Sequence, residues 1–241
     1  MWLYPLALKS AIFSVLLFLA GFNWLVWILF AAFSFYFYFQ PSFNNKRFFY
    51  SFFAVFFCSL AILEKIHFLG YRFSAAIMFG ILFFVLLGTK NLAFINRQGI
   101  YHSINGFLLL SVFLSFFLSD KSEWFVLKYL LVGAALFFLS REFLEFFWKE
   151  NKKEEVYSGE PFISLSSLSI AFLGMQVAWG TALLPIGFLN SSALALAFML
   201  VLQDFFLNYS VGTLNSRLVL RNITVFAVLC LAIFAASGWS V

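Results

Sequence analysis

Residues 162–208 run for two full helix lengths with a single charged side chain, Asp204. A helix needs about 20 consecutive apolar residues to cross the hydrocarbon of a bilayer. Runs of nearly that length recur from one end of this chain to the other. This repetition constrains the fold more than any other feature. Backbone N–H and C=O groups in lipid must pair within the segment, so long unbroken apolar runs become helices. Composition removes the water-soluble alternative. The chain is 64% hydrophobic and 10% charged over 241 residues, whereas soluble domains average about 45–50% and about 25%. The expected fold class is an all-α polytopic integral membrane protein forming one transmembrane domain over residues 1–241.

Charge and turn residues divide the apolar sequence into nine expected spans: 3–20, 24–39, 48–63, 73–89, 100–118, 124–139, 162–183, 189–208 and 223–237. Only "GFN" parts the first two, and merging them gives eight. The stretch "AIFSVLLFLA" after Lys9 has the apolar character of a signal peptide core. No A-x-A site follows, and apolar sequence resumes at once, so a retained first span is expected.

Loop charge sets an expected orientation. With a cytoplasmic N-terminus, the inner side receives Lys9, Lys46, Arg47, Lys90, Arg97, Arg141, Lys149, Lys152, Lys153, Arg217 and Arg221. The outer side receives Lys65, Arg72, Lys121 and Lys128. Lys and Arg concentrate in cytoplasmic loops, so this imbalance puts the N-terminus inside and the C-terminus outside, in a plasma or inner membrane. The net charge of +5 therefore reports topology, and nucleic acid is not an expected partner.

The longest polar stretch, 140–161, reads "SREFLEFFWKENKKEEVYSGEP". Arg141, Glu145, Lys149 and Lys153 recur every four residues with alternating sign, a solvated helix face. Phe143, Phe146, Phe147 and Trp148 fall on the other faces, at expected headgroup depth. The segment continues the sixth span as an amphipathic connector, and a cytoplasmic protein partner is its second reading. Short matches at Asn23 and Glu123, Phe68 and Pro185, and Asn96 and Asn215 fit a weak parallel repeat of spans one to four in spans five to eight.

Ionisable groups within spans are functional candidates, because burying them is costly. Asp204, with Gln203 beside it, lies about 22 Å along the eighth span from its start, at ~1.5 Å per residue. That depth is the inner leaflet. The fifth span opens with Arg97, Tyr101, His102 and Asn105 at the same inner edge. Arg217 and Arg221 follow the eighth span. These eight residues form the expected polar cluster. An Asp–His pair relays protons and arginines hold an anionic headgroup or phosphate. The plainer reading is an inner-edge ion pair of Asp204 with the arginines. Cys58 and Cys230 read as small apolar residues, and Glu64 with His67 are too few ligands for a metal. No phosphate loop, dinucleotide fingerprint or zinc-protease motif is present, so no catalytic residue, metal or cofactor is expected. The leading functional expectation is a non-catalytic scaffold or subunit of a membrane complex. A small transporter or lipid-handling permease is the alternative, and an enzyme of lipid-linked substrates is third.

Overall fold

The computed structural model describes residues 3–21, 24–40, 47–91, 94, 96–119, 125–150, 160–210 and 212–237. Among them the chain forms nine helices and no strand: α1 (Leu3–Ala20), α2 (Trp24–Phe39), α3 (Phe49–Lys65), α4 (Leu69–Lys90), α5 (Arg97–Leu118), α6 (Phe125–Glu150), α7 (Glu160–Ala182), α8 (Phe188–Ser210) and α9 (Ser216–Ala236). Five of them (α4, α5, α7, α8 and α9) are long and apolar enough to cross a membrane, and α1 and α2 are shorter apolar helices. The first two expected spans form two helices, α1 and α2, packed on each other.

Two helices differ usefully from their expected bounds. α6 continues to Glu150 without a break at residue 139. The connector thus begins as the same helix, while its residues 151–159, with Lys152 and Lys153, lie outside the described set. α9 begins at Ser216, seven residues before the expected start. Asn215 caps it: its Oδ1 accepts from the Arg217 backbone N–H at 2.8 Å, which satisfies one of the open donors of the first turn. Arg217 and Arg221 therefore lie on the helix, not in a preceding loop.

The chain divides into two compact units, 1–111 and 112–241, with the division inside α5. In the first, α1 packs on α2 and α4, and α3 packs on α4. Its core is aromatic. Phe13 stacks on Phe83 at 4.3 Å between centroids and meets Phe30 at 4.9 Å; Phe30 stacks on Phe56 at 5.2 Å, and Tyr38 on Phe52 at 4.3 Å. Lipid tails are as apolar as these rings, so close packing rather than expulsion from water holds such helices together. Small residues permit that packing between α1 and α4. Ser10 Oγ donates to the Gly80 carbonyl across the interface at 2.7 Å, and a Cβ at Gly80 would collide with the Ser14 hydroxyl.

In the second unit the helices pack in sequence order, α6 on α7, α7 on α8 and α8 on α9. Gly133 and Gly174 leave room for Met175 and Met199. The Tyr129 hydroxyl on α6 donates to the Met175 carbonyl on α7 at 2.8 Å. No residue of α9 is buried. This helix keeps its apolar side chains on the outside, as a lipid-facing helix does.

Candidate functional site

Asp204 sits on α8, half-buried, four turns and more from the start of the helix. Both of its carboxylate oxygens accept from carboxamides. Asn208, one turn on, donates Nδ2 to Oδ1 at 3.0 Å and to the Asp204 carbonyl at 2.8 Å. Asn222 on α9 donates its Nδ2 to Oδ2. Asn208 is itself braced, because Thr213 Oγ1 donates to its Oδ1 at 3.0 Å and the Thr213 N–H to its carbonyl at 2.9 Å. The result is a polar clamp at the α8–α9 turn, tying the two helices through one carboxylate.

The expected ion pair with the arginines is absent among the described residues. Arg217 and Arg221 are both exposed, and the carboxylate faces Asn222 instead. The physical reason is the early start of α9. Asn222 lies six residues into the helix, and a carboxamide there meets Asp204, whereas the long guanidinium stems extend into the surroundings. Gln203 points elsewhere. It is fully buried, and its Nε2 donates to Ser140 Oγ on α6 at 3.4 Å.

The remaining predicted residues belong to the first unit. Arg97 opens α5 and is half-buried, and His102 is exposed. Tyr101 is fully buried; its hydroxyl shares a hydrogen bond with Ser51 Oγ on α3 at 3.1 Å. Its ring lies 4.5 Å from that of Phe48. Phe48 holds φ 61, a costly left-handed conformation for a bulky residue, which the buried ring contact with Tyr101 helps to offset. Asn105 is buried on the same face of α5 as Tyr101, one turn along. Tyr101 thus joins α5 to α3 and has the place of a packing residue. The eight predicted residues therefore divide between the two units, with Arg97, Tyr101, His102 and Asn105 in one and Gln203, Asp204, Arg217 and Arg221 in the other.

A site that sequence reasoning passed over lies in the first unit. Lys90, the last residue of α4, is only 3% exposed. Its Nζ donates to the Tyr38 carbonyl at the end of α2 and lies 3.8 Å from the centroid of the Tyr38 ring. Phe39 supplies a second ring at 5.9 Å. Tyr38 is fully buried, and its hydroxyl donates to the Arg47 carbonyl at 2.5 Å. Lys9 on α1 places its ammonium 5.9 Å from the centroid of Phe37. Ser34, one turn before Tyr38 on the buried face of α2, has a buried hydroxyl with no hydrogen-bond partner. Such a pair of cations is costly. A cation over a ring contributes roughly 0.5–2 kcal/mol, and removing an ammonium from water costs several kcal/mol. The sequence signal was faint: Lys90 ends a span, where lysines ordinarily reach outward.

Chemically, the Asp204 clamp is a poor relay. Carboxamides do not titrate, so neither Asn208 nor Asn222 passes a proton onward. Among the described residues no group of three His, Cys, Asp or Glu side chains converges on a metal-sized site. Comparison with protein-family models, with curated proteins and with solved structures returns no match to this chain. Fold and site together define an all-helical protein of the membrane type, with several helices apolar enough to span the bilayer.

Proposed function

We propose that this chain is a nine-span integral protein of the plasma or inner membrane, with its N-terminus cytoplasmic and its C-terminus outside. In this reading it serves as a non-catalytic scaffold or subunit of a larger membrane complex. The observation that supports this is the closure of Asp204 by Asn208 and Asn222. The carboxylate of the eighth span is engaged in fixing α8 to α9, where a transporter or enzyme needs its carboxylate open to substrate or protons. The charged end of α6 is the surface assigned to the partner. There Glu145 pairs with Arg141 at 2.9 Å and with Lys149 at 3.7 Å, a solvated face continuous with a span.

Two measurements on the same preparation test the proposal. Solubilised native membrane should yield the chain in a stoichiometric complex with at least one other protein. Charge reversal by Arg141→Glu with Lys149→Glu should reduce recovery of that partner. Reconstituted alone in liposomes with an imposed pH gradient, the chain should leave the gradient intact. Saturable flux that Asp204→Asn abolishes would favour the transporter reading and sink the scaffold.

A further inference from the structure

Residues 1–111 carry one carboxylate side chain, Glu64, against Lys9, Lys46, Arg47, Lys65, Arg72, Lys90 and Arg97. Glu64 lies in the last turn of α3, at the end of the chain's passage into α4. Lys90 closes α4, a helix of 22 residues, about 33 Å long at ~1.5 Å per residue. The only carboxylate of the unit is thus a helix length away from the buried ammonium. Buried charges in proteins are paired or hold a ligand. Here the Lys90 ammonium has three donors, of which the Tyr38 carbonyl takes one. Lys9 adds a second ammonium at the same end of α1, α2 and α4, against Phe37.

We propose that this end of α1, α2 and α4 binds the phosphate of an anionic lipid headgroup, with Lys9 and Lys90 donating to its oxygens. A phosphate brings the counter-charge that the unit does not supply and several acceptors for the remaining ammonium donors. A lipid fits better than a soluble anion, because the site closes the end of apolar helices. Beside it, Leu8 of α1 and Phe33 and Tyr36 of α2 are 55%, 42% and 55% exposed, a wall against which acyl chains pack. Basic pockets between helices at the cytoplasmic leaflet suit anionic headgroups, and the proposed orientation puts Lys9 and Lys90 on that side. The leaflet assigned to the site rests on the proposed orientation, and the site itself needs neither the Asp204 clamp nor the scaffold role.

The test uses the full chain in phosphatidylcholine mixed micelles, with thermal unfolding followed by tryptophan fluorescence. Phosphatidylglycerol or inorganic phosphate is titrated at equal phosphorus. Phosphatidylglycerol should raise the melting temperature saturably in the wild type and in Lys149→Met, whose lysine is exposed on α6. Lys9→Met and Lys90→Met should each weaken that apparent affinity by about tenfold or more, the scale of one lost charge-assisted hydrogen bond. Inorganic phosphate should give no saturable shift; a lysine-dependent shift with phosphate alone would overturn the lipid assignment in favour of a free anion. Should Lys90→Met fail to fold, native mass spectrometry of the half-buried Lys9→Met carries the test, since retained phosphatidylglycerol should be lost from it. No shift in the wild type, or equal shifts in the wild type and both lysine variants, overturns the site.

Discussion

If Asp204 is a clamp, its energetic partner is Asn222 and not either arginine. A double-mutant cycle between Asp204→Leu and Asn222→Leu measures this. Each single change strands one polar group on α8 or α9, and the double change removes both. Hydrogen bonds to charged groups contribute about 1.5–3 kcal/mol in proteins generally. Interhelical bonds measured in membranes are weaker, averaging about 0.6 and reaching about 1.7 kcal/mol, because the unfolded state also finds partners. Asp204 is half-buried and keeps the Asn208 bond when Asn222 is lost. The coupling should therefore fall in the membrane range, at about 0.6–1.7 kcal/mol, with the double mutant less destabilised than the sum of the singles. Reversible unfolding of the purified chain in mixed micelles, titrated with denaturing detergent, reads each corner of the cycle. Cycles of Asp204→Asn with Arg217→Gln and with Arg221→Gln serve as controls and should be additive to within about 0.5 kcal/mol. Additivity with Asn222 together with coupling to either arginine would refute the clamp and restore the ion pair.

Other outcomes follow from the packing. Gly80→Val should destabilise the chain by about 1–3 kcal/mol through overpacking against Ser14, whereas Gly187→Ala, with open space around its Cβ, should stay within about 0.5 kcal/mol; the same unfolding titration compares them. Phe83→Ala should destabilise the chain through the cavity left against Phe13, at about 24 cal/mol per Å³ of unfilled volume, since the ring is fully buried. Glu145→Gln removes two surface ion pairs on α6 and should cost only about 0.3–0.5 kcal/mol per pair, an effect that vanishes in high salt.

The helices were legible because the bilayer demands a length. An uninterrupted apolar run of about 20 residues admits one backbone solution, and α1 and α2 coincide with their expected bounds. Ends defined by capping and not by hydropathy were harder. α9 starts at Ser216 because Asn215 caps it, and "NSR" carries that signal for a reader who weighs caps above apolarity. The alternating charges of α6 were legible too: Arg141, Glu145 and Lys149 pair as their spacing implies. Phe143 and Phe147 on the same helix are buried, a packing role that the charge spacing alone does not announce.

The polar groups were less readable. Asp204 was given arginine partners because opposite charges advertise themselves in a sequence, while Asn208 and Asn222 look like ordinary polar residues until α8 and α9 are paired. The i, i+4 spacing of Asp204 and Asn208 was available and points to the local half of the clamp. Lys90 was assigned to the loop charge because hydropathy cannot say whether the last lysine of a span turns outward or back over a tyrosine ring. That direction depends on Tyr38, 52 residues earlier in the chain, and no local pattern encodes it.

Nine alternating crossings underlie every assignment of side and depth made above, and cysteine accessibility measures them directly. In a Cys58→Ser, Cys230→Ser background, single cysteines replace Gln40, His67, Asn91, Ser119, Leu183 or Leu214, and sealed cells are treated with a membrane-impermeant maleimide. Positions 67, 119 and 183 should label from outside, and positions 40, 91 and 214 only after the membrane is opened. Any of the six positions labelling from the side opposite to the one stated would contradict the nine-span topology.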